Sequence, residues 1–313
     1  MKRSQAIALL GGGAASFPIA AGAQAKRTIR VGANAGESLS EGLLALEGGF
    51  FSRAGLDVEL VILANGGAMT IGIISGAIDV GPSNIASIAA AHIRGLELSL
   101  FAPSVLVESS DPPLTIIAVR NDSPIRTAKD CAGKVFALST VRDLQQAAVM
   151  TWLDRNGGDS SSVSFVEMPG GSQLPALLSK RVDAALLVEP FISTSKADTR
   201  MVARPYDSLG SRLLTFGWAA NKTWLAVNAD VLPRMTAAIR ETALWANRNH
   251  DATAAILSSV SKLPETTYAV ARQRFSDGQL DPAMIQPIID ASARYGFLKN
   301  AFPAADLIAA RHV

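Results

Sequence analysis

Short polar side chains cluster at four places where an apolar stretch typical of a β-strand gives way to a stretch typical of a helix. The first turn of a helix exposes backbone N–H groups and carries a partial positive charge, so such places are suited to bind small polar groups. Ordinary helix capping accounts for any one of them, because Ser, Thr and Asn are preferred caps. Their shared position at one end of the predicted sheets favours a binding site. The candidate ligand contacts are Asn34, Glu37, Asn65, Gly66, Ser83, Asn84, Ser139, Thr140 and Arg142.

Arg142 is the candidate partner for an anion. It falls in the first turn of a helix predicted over residues 141–156, with Ser139 and Thr140 as the expected cap. The helix dipole disfavours a cation there, so this position needs a further partner. That partner is either a bound anion or the adjacent Asp143, and the sequence leaves both open.

Acidic residues in the expected pocket loops argue against a plain oxyanion as the ligand. Glu37, Glu108 and Asp111 are all predicted to lie in those loops. Like charges there would repel nitrate or a sulfonate. A solute with hydrogen-bond donors, such as a zwitterion or a heterocycle, therefore competes with a simple anion.

Alternating strand and helix patterns must position these residues. Two βα blocks run in series and a mostly helical segment follows, which predicts mixed sheets with helices on both faces. The predicted strands cover residues 28–32, 55–63, 78–81, 114–119, 134–138, 163–167, 182–188 and 225–227. The main predicted helices cover residues 38–51, 68–75, 127–131, 141–156, 173–179, 232–247, 251–259, 264–273 and 282–295, and a further one ends at Arg94.

Length and composition fit an exported protein of two domains or of one large domain. The 313 residues include 49% hydrophobic and 18% charged side chains, enough for a real core. Lys2 and Arg3, an apolar stretch and a final Ala23-Gln24-Ala25 predict a signal peptide over residues 1–25, cleaved after Ala25 into the periplasm. A buried N-terminal helix is the alternative, which Gly11 to Gly13 and Pro18 disfavour.

Several function classes lack their sequence signals. Without Lys2 and Arg3 the 29 basic residues fall to 27, equal to the 27 acidic ones, and no basic run with aromatics indicates nucleic-acid binding. The single cysteine, Cys131, is expected to be a buried apolar residue. The three histidines lack metal-ligand spacing. We therefore expect no catalysis, no metal and no cofactor.

Five strings of residues together resemble a known family. They are GFFSRAGLDV at residues 49–58, ISGAIDVG at 74–81, NDSPI at 121–125, AGKV at 132–135 and LSKRVDAA at 178–185. In this order and spacing the chain resembles the periplasmic solute-binding proteins of ABC importers for nitrate, sulfonates and taurine, and the related binders of thiamine-pyrimidine precursors. The resemblance covers nearly all of the chain after residue 25.

This resemblance implies an α/β fold of the type 2 periplasmic-binding-protein class. Two lobes, each a mixed sheet flanked by helices, would be joined by two crossings: residues 28–115 plus 215–313, and residues 116–214. A small organic solute (sulfonate, nitrate, carboxylate or pyrimidine-like) would bind in the cleft between them, and the lobes would close by a hinge motion. The implied partner is the membrane permease of the importer, and a monomer is expected.

The resemblance also adds three candidate contacts. Glu189 and Phe191 lie where family members place residues at the cleft edge. Glu189 would accept hydrogen bonds from a ligand amine, and Phe191 would either stack on a ring or pack in the core. Trp218, near the returning crossing, is either a lid aromatic or a core residue.

An enzyme is the alternative function on this fold. The pyrimidine-precursor synthase of thiamine biosynthesis resembles these binders, but it carries a cysteine-rich iron-binding segment. The single Cys131 disfavours that chemistry in this chain. A binding protein is therefore the preferred interpretation.

Overall fold

Two five-stranded sheets flanked by helices form the architecture of the computed structural model, which describes residues 27–35, 37–262, 264–268 and 274–309. The strands are β1 (Ile29–Ala33), β2 (Val58–Ile62), β3 (Val80–Asn84), β4 (Leu98–Pro103), β5 (Leu106–Glu108), β6 (Thr115–Arg120), β7 (Val135–Leu138), β8 (Ser164–Glu167), β9 (Ala184–Val188), β10 (Thr199–Ala203), β11 (Arg212–Leu214) and β12 (Phe216–Asn221). The helices are α1 (Glu41–Glu47), α2 (Phe50–Arg53), α3 (Gly66–Ser75), α4 (Ile85–Ile93), α5 (Leu144–Arg155), α6 (Gly170–Leu178), α7 (Phe191–Thr194), α8 (Lys222–Val227), α9 (Leu232–Ala246), α10 (His250–Ser261), α11 (Glu265–Tyr268) and α12 (Pro282–Arg294).

The two large sheets repeat one topology. The first has the order β2-β1-β3-β12-β4, and the second read from its other edge has the order β8-β7-β9-β6-β10. In each, the first three strands are parallel and the fourth runs antiparallel to its neighbours. This confirms the predicted α/β class with mixed sheets.

An aspartate fixes the register of the parallel strands at equivalent places in both sheets. Asp79, directly before β3, accepts a hydrogen bond from the backbone N–H of Arg30 in β1 at 2.9 Å and also pairs with the Arg30 guanidinium. Asp183, directly before β9, accepts from the N–H of Val135 in β7 at 2.9 Å. Each carboxylate therefore holds the start of one strand against its neighbour.

Two short strands carry the chain between the sheets. Strand β5 leads out of the first sheet and β11 leads back, and the two pair antiparallel as a separate ribbon. The chain thus crosses twice between the sheets, as the resemblance implied.

The sequence pattern misassigned one strand. Residues 225–227 belong to helix α8, whose cap Asn221 accepts from the N–H of Thr223 at 2.8 Å, and Trp224 and Leu225 are buried on one face of the helix. The strand lies just before it, as β12. Because β12 is hydrogen-bonded on both sides within the first sheet, its small apolar residues are buried without the alternation that marks a half-exposed strand.

The predicted helix over residues 38–51 is interrupted. A single turn at residues 37–39 precedes α1, and α1 and α2 are separated at Gly48 and Gly49. Gly49 has φ of 72°, a left-handed conformation that glycine adopts without a steric cost. The glycine pair therefore turns the chain between two short helices.

The cores of the two sheets meet along one side of the molecule. Helix α5, which follows the second sheet's strand β7, packs against α12, and its Leu144 and Ala148 belong to the same apolar cluster as Ile285 and Ile288 of α12. The Tyr295 hydroxyl donates to Asp154 at 2.8 Å across this contact. The sheets are thus joined by packed side chains as well as by the ribbon.

Cys131 is fully buried in the core of the second sheet, as predicted. Burial raises the pKa of its thiol to about 11. Within the described ranges no helix is both long and apolar enough to cross a membrane. The predicted signal peptide, and residues 269–273 of the predicted helix over 264–273, lie outside those ranges.

Glu41 at the start of α1 is a fully buried carboxyl group. Its Oε2 accepts hydrogen bonds from the Ser104 hydroxyl at 2.7 Å and the Trp218 indole N–H at 2.6 Å, while Oε1 has no partner. Desolvation raises the pKa of Glu41 to about 8, and the two hydrogen bonds only partly offset this. Burial therefore favours the protonated form of Glu41 near neutral pH.

We predict that Glu41 makes the protein less stable as the pH rises. Its pKa is about 8 in the folded protein and about 4.5 unfolded, so the folded state binds more protons between these values. Its contribution is complete below the lower value and is lost as the pH rises through the upper one, at about 1.4 kcal/mol per pH unit. Denaturant unfolding between pH 5 and pH 8.5 measures this slope.

The variant Glu41→Gln should remove the slope, because the amide oxygen accepts the same two bonds and does not titrate. Glu47→Gln, a change at the exposed end of the same helix, is the matched control and should retain it. Equal slopes in the wild type and Glu41→Gln would show that Glu41 is ionised in the folded protein.

Candidate functional site

A cavity of about 410 Å³ lies between the two large sheets, at the carboxyl ends of their parallel strands. Segments that follow β1, β2 and β3 form one side, and segments that follow β7, β8 and β9 form the other. The crossing segments close the back. The lining residues are Asn34, Ser38, Leu39, Ala64, Asn65, Gly66, Asn84, Val105, Val107, Leu114, Thr115, Ser139, Thr140, Asp143, Leu144, Gln145, Gly170, Val188, Glu189, Tyr206, Thr215 and Phe216.

The first sheet contributes four of the predicted contacts. Asn34 donates to the carbonyl of Leu63 at 2.5 Å and so joins the ends of β1 and β2. Asn65 caps α3 by accepting from the N–H of Ala68 at 2.9 Å, and Gly66 begins that helix at the cavity wall. Asn84 caps α4. Capping and cavity lining thus occur together at two of these residues.

Ser83 lies behind the cavity wall. It is fully buried, and its hydroxyl donates to the carbonyl of Gly66 at 2.7 Å and lies 2.6 Å from the Thr70 hydroxyl. Ser83 therefore holds the first turn of α3 in place without lining the cavity. Glu37 cannot be placed, because its side chain lies outside the described part of the structure.

On the second sheet, Ser139 and Thr140 line the cavity, but they do not cap the helix. Helix α5 begins at Leu144 with Asp143 as its cap, and the Asp143 carboxylate accepts from the N–H of Leu144 at 2.6 Å. The N–H of Ser139 donates to Gln145 at 2.9 Å, which folds the preceding loop onto the first turn. The cap assignment to Ser139 and Thr140 was wrong.

Arg142 is not in the helix and does not line the cavity. Its φ is 56°, so the chain turns sharply before α5 begins. Its guanidinium donates to the carbonyl of Gly296 at 2.9 Å and lies 5.4 Å from the centre of the Phe297 ring. Gly296 and Phe297 belong to the segment after α12, so Arg142 joins the loop between β7 and α5 to that segment.

Glu189 and Phe191 follow β9 and take different roles. Glu189 lines the cavity, and both of its carboxylate oxygens accept from Ser193, at 3.1 Å from the N–H and 2.9 Å from the hydroxyl. Phe191 packs against Gly170, where an added Cβ would lie 3.2 Å from its ring. Phe191 thus supports the first turn of α6 from behind.

Trp218 is a core residue. It is fully buried, and its indole N–H donates to Glu41. A lid aromatic must face the ligand. Because Trp218 is fully buried, it is not a lid residue.

The acidic residues of the ribbon also lie elsewhere. Glu108 pairs with Arg212 and Arg274, and Asp111 pairs with Arg274. Neither Glu108 nor Asp111 lines the cavity. The negative charge at the cavity comes instead from Asp143 and Glu189.

The polar back wall of the cavity and Asp143 are not among the predicted contacts. Tyr206, Thr115 and Thr215 come from segments next to the crossings, for which the sequence offers no local signal. Asp143 did have one, because an aspartate followed three residues later by Gln146 is a typical helix start.

Burial shapes the ionisation of two cavity groups. Desolvation raises the pKa of Asp143, the neighbouring Glu167 raises it further, and hydrogen bonds from the Leu144 N–H and from Asn84 act in the opposite direction. Burial and the nearby Asp143 charge raise the pKa of the Tyr206 hydroxyl, which is hydrogen-bonded to Thr115. Among the described residues no cluster of three or more His, Cys, Asp or Glu could hold a metal ion.

One direct hydrogen bond connects the two sides of the cavity. The Asn84 amide, on the first sheet, donates to the Asp143 carboxylate, on the second, at 3.0 Å. The same Asn84 side chain accepts from the N–H of Ser87 at 2.7 Å, so its orientation is fixed by the α4 cap. The two helix caps thus bridge the cleft.

The fold and this cavity define a two-lobed binding-protein architecture, and comparisons with known proteins agree. The chain belongs to the NMT1/THI5-like family, whose model matches residues 40–253, more than half of the chain. A search among curated proteins gave no match.

Three solved structures illustrate the similarity in fold. The periplasmic aliphatic sulphonate binding protein SsuA from Escherichia coli has a TM-score of 0.75 and 17% identity, over 90% of this chain and 92% of that one. The alkanesulfonate-binding protein SsuA from Xanthomonas axonopodis pv. citri, bound to MOPS, has a TM-score of 0.72 and 17% identity, over 90% and 98%. The periplasmic nitrate-binding protein NrtA from Synechocystis PCC 6803 has a TM-score of 0.69 and 15% identity, over 90% and 84%.

We predict that Asn84→Asp destabilises the joined arrangement of the two sheets. Aspartate retains the α4 cap, but it removes the donor to Asp143 and places two carboxylates opposite each other. The expected loss is about 1–3 kcal/mol of unfolding free energy, with a larger radius of gyration in small-angle scattering.

Asn65→Asp is the matched control. Asn65 also caps a helix at the cavity, but within the described part of the chain its side chain is not hydrogen-bonded to Asp143. It should change both measurements little. An Asn84→Asp protein as stable and compact as the control would show that the bridge contributes nothing.

Proposed function

We propose that this protein is the extracytoplasmic solute-binding component of an ABC importer, and that it binds a small organic solute in the cavity between the sheets. One observation carries the proposal: the cavity is built from equivalent strand ends of two repeated sheets. Such a site at the carboxyl ends of parallel strands is the common ligand position in open α/β folds. The volume, about 410 Å³, suits a small organic molecule.

The comparisons support this proposal. The three solved structures described above are named as binding proteins for sulfonates and for nitrate. At their low identity they support the fold, and the choice of solute depends on the cavity residues of this chain. Sulfonate, nitrate, carboxylate and pyrimidine-like solutes are the starting classes.

The proposed mechanism is closure of two lobes on the ligand. Lobe one would comprise residues 28–115 and 215–313, and lobe two residues 116–214, as the sheet membership of the strands supports. The ribbon of β5 and β11 would act as the hinge. A ligand touching both lobes stabilises the closed form by its differential affinity, and the membrane permease would recognise that form.

The cellular setting belongs to the same proposal. The signal peptide over residues 1–25, cleaved after Ala25, would direct the protein to the periplasm as a monomer. A binding role is preferred over an enzyme of the thiamine-pyrimidine type, because the Cys131 thiol lies in the core of the second sheet, away from the cavity.

We predict that a subset of small metabolites raises the melting temperature of the mature protein, because a ligand that binds only the folded state stabilises it by mass action. Differential scanning fluorimetry against a metabolite library that includes anions, cations and neutral solutes measures this. The variant Thr140→Trp should abolish the shift by filling the cavity that Thr140 lines.

Thr223→Trp, at an exposed position on α8, is the control and should retain the shift. Two results would contradict the proposal: no stabilising compound in the whole library, or an equal shift in Thr140→Trp and the wild type.

A further inference from the structure

The cavity has no fixed positive charge among its described lining residues. None of them is Lys, Arg or His. Arg142, the cation nearest in sequence to the lining residues of α5, turns away and binds the carbonyl of Gly296. A bound oxyanion would therefore have no side-chain counter-charge in this part of the structure.

Two carboxylates line the cavity instead, and both keep free acceptor capacity. An ionised carboxylate accepts about four hydrogen bonds. Asp143 accepts from the Leu144 N–H and from Asn84, and Glu189 accepts twice from Ser193. Each thus has room for ligand donors.

The charge of Glu167 adds to this negative environment. Glu167 ends β8. Desolvation by burial is the main cause of the raised pKa of Asp143, and the charge of Glu167 adds to it. An anion entering here would meet further like charge.

Some of the first-turn N–H groups at the cavity are already bound within the protein, whereas α6 begins at Gly170 without a side-chain cap. The first-turn N–H groups of Ala68, Ser87 and Leu144 are already taken by the caps of their own helices. Ile85 donates to the carbonyl of Thr215 at 3.0 Å. The dipole of α5 is matched by Asp143 at its cap, so it offers little attraction to a second anion.

Part of the cavity wall is apolar. It is formed by Leu39, Val105, Val107, Leu114, Leu144, Val188 and Phe216. An inorganic ion would leave this surface without contact, whereas an organic body would bury it.

Building on the proposed function, we infer that the cavity takes an organic solute of zero or positive net charge that donates N–H hydrogen bonds to Asp143 and Glu189. Oxyanions without such donors, nitrate and simple sulfonates among them, are excluded. This separates the protein by ligand class from the sulfonate- and nitrate-binding proteins that share its fold.

Isothermal titration with four probes that share one ring tests the inference: benzamidine, benzamide, benzoate and benzenesulfonate. The hits of the metabolite screen are added and sorted by net charge and by N–H donors. We expect binding by benzamidine, benzamide or donor-bearing hits of zero or positive charge, and none by benzoate, benzenesulfonate or nitrate.

Variants then assign the binding to the two carboxylates. Asp143→Asn and Glu189→Gln should each weaken the best donor-bearing binder roughly tenfold or more, since a charge-assisted hydrogen bond is lost. Asparagine remains a good helix cap, so α5 is retained. Glu59→Gln, at an exposed position of the edge strand β2, is the control for net charge and should leave the affinity unchanged.

The outcomes separate the inference from the proposed function. Binding confined to anions overturns the inference and leaves the solute-binding function standing. Donor-bearing binders with full affinity in both carboxylate variants also overturn it. A folded protein that binds no probe and no screen compound overturns both.

Discussion

The cavity depends on the register of the parallel strands, and two aspartates hold that register. Asp79 and Asp183 accept the backbone N–H groups of Arg30 and Val135 in the neighbouring strands, each at 2.9 Å. Because three strands then run in register to one edge of each sheet, all the segments that follow them meet there. A slip at either aspartate would move the helix starts that form the cavity. Residues far from any ligand thus determine where the ligand contacts lie.

Local patterns were enough to place several polar residues of the cavity wall. Asn34, Asn65 and Asn84 follow strands whose length and direction are evident from the sequence, and the structure puts all three at the cavity. The predicted position of Arg142 in the first turn of a helix is wrong, because α5 begins at Leu144. Moving a helix start by three residues rotates the preceding side chains to another face. Because the helix start was predicted too early, Arg142, the only Lys or Arg among the predicted contacts, was wrongly expected in the first turn of the helix.

Other features depend on contacts that no local pattern contains. Glu108 is neutralised by Arg212 and Arg274, which are 104 and 166 residues away in the sequence. Strand β12 returns to the first sheet, between β3 and β4, after the chain has formed the whole second sheet. Its Trp218 is buried there against Glu41. Charge at a site is a sum over the folded chain, so counting acidic residues in loops does not identify it. Glu108 and Asp111 pair with arginines outside the cavity, whereas Asp143 and Glu189 line it.

The Asp143 side chain has three structural roles. It caps α5, it accepts the bridge from Asn84 across the cleft, and it lines the cavity. A ligand donor at this carboxylate either shares it with Asn84 or replaces Asn84. In the first case binding adds to the closed arrangement, and in the second it exchanges one hydrogen bond for another, with a small net gain. A cationic donor gains more at an ionised carboxylate than the neutral amide it replaces. Under the proposed closure, the bridge from Asn84 would favour ligands that bind this carboxylate more strongly than Asn84 does.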